Sequence, residues 1–202
     1  MKIEKWIRIT TSSVVLNGAE MPCNECGIPM LTSLYRGKIN DYPKFFKMDP
    51  LCKLGFVASE LLLAGEERFV PRSDRAVVLF NRSSSLCNDR QYQKTITADN
   101  YFPSPAVFVY TLSNIVTGEI AIRNKYNGET SSYVLDGFDA GMICNIVADT
   151  LADDEATSAL CGWVECESEN NFEALLFVVS KEEAESTCEW NEKNILELKN
   201  NK

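Results

Sequence analysis

The chain has eight cysteines and no histidine among its 202 residues, which narrows the chemistry it can carry. Without histidine, Ser-His-Asp and Cys-His catalysis within this sequence is excluded, as is any histidine-containing zinc site. Thiols remain. Cys23 and Cys26 are spaced C-x-x-C, which can hold half a zinc site, and Cys161 with Cys166 is the candidate second pair. That second spacing lacks the glycine and basic residues of a zinc knuckle. Cys52, Cys144 and Cys161 lie in apolar periodic segments, where cysteine acts as a small hydrophobe. The expectation is free thiols in a reducing compartment, with no metal and no cofactor. A zinc-bearing interaction module is the alternative.

One stretch has the layout of a nucleophile site. In YVLDGFDAGM, residues 133–142, an apolar strand runs into a tight turn, and a helical pattern follows with Ile143, Val147 and Leu151 on one face. Such an elbow exposes one side chain at a helix N-terminus, where partial positive charge favours an anion. The turn holds only Asp136, Gly137, Phe138 and Asp139, none an acyl-carrying nucleophile. Cys144 lies two turns into the helix and should pack. Asp136 or Asp139 should cap the helix.

Other clusters read as structure. Asp153, Asp154 and Glu155 are adjacent and should diverge at a solvated helix end. Arg82 and Arg90 flank the tract Ser83-Ser84-Ser85; ion pairing is the expected use, a phosphate or carboxylate site the alternative. There is no G-x-G-x-x-G and no P-loop pattern. The net charge of -9 argues against nucleic acid and against an anionic membrane surface. Acids crowd the C-terminal third, from Glu165 to Glu192, as a solvated surface or a docking face. No apolar run is long enough for a bilayer, and the N-terminus is a poor signal peptide, so a cytoplasmic setting is expected.

The elements that must position these residues follow from periodicity. IEKWIRIT predicts a strand with Ile3, Ile7 and Ile9 on one face, its period disturbed at Lys5 and Trp6. Residues 17–44 are rich in Gly, Pro, Asn and Asp and read as irregular. Asp49 and Pro50 open a helix that ends at Gly65. AVVLF, 76–80, is a strand covered on both faces. Residues 89–96 form a short helix. FPSPAVFVYTLSNIVTGEIAIRNKY is the longest helical pattern, with Phe108, Leu112, Ile115, Val116 and Ile120 on one face and Ser104 at its start. Two strands, SALCGWVECE and FEALLFVVS, follow the elbow helix, and residues 181–202 are a polar, partly helical tail. The alternation predicts a single three-layer α/β domain over 1–202.

Four stretches together carry a resemblance: KMDPLCKLGFVASELLL, FPSPAVFVYTLSNIVTGEIAIRNKYNGE, YVLDGFDAGM and ALCGWVE. In order and spacing, over residues 45–166, they resemble the N-terminal half of the β-ketoacyl synthases, condensing enzymes of the thiolase-like fold. The nearest subgroup is the short stand-alone ketosynthase-like proteins of aryl-polyene and flexirubin-type pigment clusters. The resemblance implies a mixed sheet covered by helices. It places the family's nucleophilic cysteine at Gly137, and the family's two catalytic histidines in a C-terminal half that this sequence does not reach. It therefore implies no catalytic residue here. It implies instead a non-catalytic, chain-length-factor-like partner of an active ketosynthase, or a homodimer, in fatty-acid or polyketide assembly. Acyl carrier protein would be engaged indirectly, through that partner. Tyr133, Phe138, Phe108 and Leu112 are the implied interface or acyl-pocket residues. An enzyme of another kind, binding acyl-CoA or acyl carrier protein, is the alternative.

Overall fold

The computed structural model describes residues 1–96, 102–153, 155–181 and 188–200. Residues 97–101, Asp154, residues 182–187 and the last two lie outside them. The strands are β1 (Lys2–Thr10), β2 (Val14–Leu16), β3 (Ala19–Met21), β4 (Arg75–Asn81), β5 (Thr130–Val134), β6 (Ser158–Ser168), β7 (Asn171–Ser180) and β8 (Cys188–Glu189). They form one sheet in the order β3-β2-β1-β7-β6-β4-β5, with β8 beside the start of β1. The β6-β4-β5 end is parallel; the rest is antiparallel. The helices are α1 (Gly27–Leu34), α2 (Pro50–Leu62), α3 (Leu86–Gln93), α4 (Pro105–Phe108), α5 (Ile115–Asn124), α6 (Ala140–Thr150) and α7 (Glu192–Asn200).

Two apolar clusters pack on opposite faces of the sheet, which gives the expected three layers. Alternate residues of β6 and β7 divide between them. Leu160, Val164, Leu176 and Val178 face α1, α2 and α5; Ala159, Trp163, Phe177 and Val179 face α6 and α7. Helix α2 is buried on nearly every side, Phe56, Val57, Ala58, Leu61 and Leu62 included. Its start is the expected one: the Asp49 carboxylate accepts from Cys52 N at 2.9 Å, with Pro50 in the first turn.

Four expectations are corrected. Ile3 does not share a face with Ile7 and Ile9. The pairing of β1 with β7 shifts register between Ile3 and Lys5, so Ile3 joins the α6–α7 side while Ile7 and Ile9 join the α2 side. The disturbed period at Lys5 and Trp6 is that bulge. Residues 17–44 are not irregular. Asn17 and Gly18, both with positive φ, turn the β2–β3 hairpin, and α1 follows. The longest helical pattern is broken: α4 passes through a 3-10 turn at Val109–Thr111, and Leu112 turns extended before α5 sets off at 97°. Val116 and Ile120 pack inward, but Phe108 and Leu112 are 51% and 50% exposed. Helix α3 also starts earlier than read, at Leu86.

Ion pairs tie β1 and β4 to the segment that follows α2. Lys5 and Arg75 reach the two oxygens of Glu66 at 2.9 and 2.7 Å. Burial opposes ionisation of Glu66, but the two cations outweigh it and hold the carboxyl below its usual range. A depressed carboxyl adds stability above its unfolded pKa and loses it as pH falls through the folded value. Urea midpoints should therefore drop as pH falls below about 4.3, and Glu66→Gln should lower the midpoint at pH 7 while flattening that acid limb.

Candidate functional site

The elbow exists but is not strained. Strand β5 ends at Val134; Leu135 N still donates to Asn81 O at 2.8 Å, and α6 opens at Ala140. Asp139, not Asp136, is the cap, its carboxylate accepting from Met142 N at 2.8 Å. Gly137 is not among the residues with positive φ, and a Cβ built on it meets nothing within 4 Å. The turn therefore does not depend on glycine at position 137. The helix N-terminus is already ringed by acids: Asp136 and Asp139 flank Gly137, and Glu192 Oε2 lies 3.3 Å from where a Cβ on Gly141 would sit. That field opposes a thiolate or a developing oxyanion. Gly137→Cys should fold with stability within about 0.5 kcal/mol of the parent. Its new thiol should alkylate no faster at pH 7 than an ordinary exposed cysteine, as measured with iodoacetamide.

Cys144 packs, as expected. Its carbonyl accepts from Trp190 Nε1 at 3.1 Å, and burial raises its thiol. Tyr133 stacks on Phe80, with ring centroids 5.3 Å apart. Phe138 meets the Trp163 ring edge-on at 5.5 Å, with Lys199 Nζ 4.2 Å from its centroid. Both thus belong to the α6–α7 side. Leu112 and Ser113 lie across the other face of β5, where Ser132 Oγ donates to Ser113 O at 3.2 Å. Phe108 sits against Tyr92 of α3. The four residues do not converge on one pocket.

Two features were not legible at those four positions. The first is the outer edge of β5. Among the described residues it pairs only with β4, leaving a short, uncharged strand with open backbone groups. Val134, Leu112, Val109 and Ile122 are exposed on β5 and the neighbouring 105–124 segment. The second is a cavity of about 570 Å3 beneath α4, lined by Met48, Asp49, Ala106, Val107, Val109 and Tyr110 among others. Phe108 and Leu112 do not line it; their neighbours do. Asp49 Oδ2 is buried with no hydrogen-bond partner, and burial raises this carboxyl despite the bonds from Cys52.

The remaining candidates are structural. Arg82 pairs with Glu167, and Arg90 donates to the Glu167 carbonyl at 3.4 Å. The serine tract turns on itself, Asn81 bonding both the N–H and the carbonyl of Ser84. Glu165, read with the solvated acids, is buried instead: its carboxylate accepts from Arg82 N at 2.6 Å and Ser83 N at 3.1 Å, fixing the loop after β4. Glu173 is likewise tied down, by Arg8 and Lys199. Cys161 and Cys166 point to opposite faces of β6 and cannot form the second half of a zinc site. No group of three or more Cys, Asp or Glu suited to a metal occurs among the described residues.

No protein-family model and no curated protein matches the sequence. Solved structures do. The chain is similar to the ishigamide ketosynthase/chain length factor, with a TM-score of 0.64 and 18% identity over 91% of this chain and 63% of that one. The likeness shows a shared fold, a mixed sheet covered by helices. A second match is the ketosynthase ApeO in complex with its chain length factor ApeC from Xenorhabdus doucetiae, with a TM-score of 0.59, 15% identity, and coverage of 90% of this chain and 80% of that one. A third is a type II PKS acyl-carrier protein in complex with its ketosynthase bound to the hexaketide, with a TM-score of 0.56, 11% identity, and coverage of 89% and 62%. The chain thus spans just under two thirds of the first and third of these. No single helix among the described residues is long and apolar enough to cross a membrane.

Proposed function

We propose that this thiolase-like chain, taken as one domain over 1–202, is a non-catalytic, chain-length-factor-like partner of an active ketosynthase in the cytoplasm, acting in polyketide or aryl-polyene-type assembly. The observation that carries the reading is the elbow: Asp139 caps the helix where the resemblance would put a nucleophile, at Gly137, and Glu192 lies beside the same helix end, where a thiolate would need positive charge. The likeness to complexes that pair ketosynthases with chain length factors supports the role. The open edge of β5 supports docking, because a strand with unpaired N–H and C=O groups is completed by another strand. The apolar-walled cavity beneath α4 suits a hydrocarbon chain. Acyl carrier protein would meet the partner, since an acidic chain repels an acidic carrier.

The test is co-expression with the ketosynthases of the same genome, followed by size-exclusion chromatography. A stoichiometric complex is expected, and Val134→Lys should weaken it at least tenfold by placing an ammonium at the apolar end of the edge that docking would bury. A monomer that ignores each ketosynthase, or a complex indifferent to Val134→Lys and to Leu112→Asp, overturns the reading.

A further inference from the structure

The C-x-x-C pair has no second pair to join, yet the fold holds it in a pinned loop. The chain leaves β3 at Met21, which pairs with Val14, and enters α1 at Gly27, whose N–H donates to Thr11 O at 2.7 Å. Both ends of the loop are thus tied to the turn between β1 and β2, and the chain bends at Asn24, between the two cysteines. Cys23 stands on the inner limb, half-buried against the α2-side cluster; Cys26 stands on the outer limb, exposed. Burial, Glu20 and Cys26 raise the Cys23 thiol, so the two sulfurs lie within electrostatic reach of each other. Cys23 Sγ makes one weak bond, to the Met21 carbonyl at 3.5 Å. Cys26 makes no capping bond, although it is the N-cap of α1. A pocket of about 140 Å3 opens beside Cys23, with Met30 and Leu34 as its apolar wall and Lys38 among its lining residues.

We propose that Cys23 and Cys26 form a two-coordinate site for a soft monovalent cation, Cu(I). The donors select it. Zinc takes four ligands in a structural site, and among the described residues no further Cys, Asp or Glu joins this pair. Two thiolates suffice for Cu(I), which prefers sulfur to the carboxylates of Glu20 and Glu25. Met21 does not supply a third ligand, because its side chain packs against the α2-side cluster. On binding, two S–H bonds break and two Cu–S bonds form. Both protons go to water, and the copper stays Cu(I), so no oxidant or reductant is consumed. The loaded site carries one net negative charge. Helix α1 has no acid in its first turn, so its N-terminus favours that charge at Cys26, and Lys38 offsets it from the pocket side. Because Cys26 is exposed, the metal stays within reach of an incoming thiol and is exchangeable.

The experiment titrates the reduced full chain with Cu(I), without oxygen, against the chromogenic chelator bicinchoninate. The chain should take one equivalent of Cu(I) from the chelator, and X-ray absorption should show two sulfur neighbours with no nitrogen or oxygen at bonding distance. Cys23→Ser and Cys26→Ser should each lose that equivalent, whereas Cys188→Ser, at the other exposed thiol, should keep it. Binding that survives either substitution in the loop, one copper shared by two chains, or displacement of the copper by equimolar Zn(II) overturns the proposal. If a serine variant misfolds, alkylation of the parent decides the matter. Bound Cu(I) should protect Cys23 and Cys26 from iodoacetamide, and equal labelling with and without the metal would rule the site out.

Discussion

Gly162→Ala should abolish folding or cost at least about 4 kcal/mol, a large part of the 5–15 kcal/mol that holds a typical domain. Gly162 lies mid-way along β6, with φ at +137°, a region that side chains other than hydrogen rarely tolerate. A Cβ there would stand 2.1 Å from the backbone oxygen of Leu175 in the adjacent strand β7. The obstacle is backbone, so no rotamer change relieves it. To fit a methyl group, β6 would have to leave β7 at the centre of the sheet, where Leu160, Val164, Phe177 and Val178 pack on both faces. Soluble yield and a urea midpoint measure this directly. A loss under about 1 kcal/mol would show that the close approach is not built as described.

The second large effect is expected at Glu60. Its side chain is 2% exposed, yet it is charged and sits on the innermost helix. Arg68 bonds its Oε1, and Arg123 Nη2 reaches its Oε2 at 3.2 Å. Arg123 in turn holds Asp41 and stacks on Phe69, 4.6 Å from the ring centroid, while Arg68 Nε donates to Asn124 Oδ1 at 2.8 Å. Removing only the carboxylate leaves two guanidinium groups short of their counter-charge in a largely dry site, so Glu60→Ala should lower stability by about 3–5 kcal/mol. Because the pair is buried, 1 M salt should neither mimic the loss in the parent nor repair it in the variant. A deficit below about 1 kcal/mol, or one that salt reproduces, would mean that the network behaves as a surface pair.

Segments whose burial follows a clean period were readable in advance. AVVLF, the start of α2, and both C-terminal strands lie where the pattern puts them, because each buries a face set by its own residues. The misreadings share a cause: tertiary partners override local pattern. Phe108 and Leu112 continue a helical period on paper, but the chain turns at Leu112 before α5 packs on α2, and both are left at the surface. Ile3 changes face because a bulge consumes one residue, and a bulge carries no compositional mark strong enough to name. The Asn17-Gly18 hairpin was marked by its dipeptide and was passed over within a polar stretch. At the site, the strand, turn and helix of the elbow were legible from pattern and spacing. The acids around the helix end were not, since Glu192 comes from a distant part of the chain.

The place of β1 inside the sheet has a consequence for how the protein is made. Strand β1 is synthesised long before β7, with which it pairs, and the Arg8–Glu173 bond spans 165 positions. Through most of synthesis, the strand carrying Ile7 and Ile9 has a neighbour only in the β2–β3 hairpin, and its other edge stays bare until residues 171–180 emerge. Such high contact order slows folding and prolongs the exposure of apolar strand to other nascent chains. Refolding from urea should accordingly recover far more protein when dilute than when concentrated.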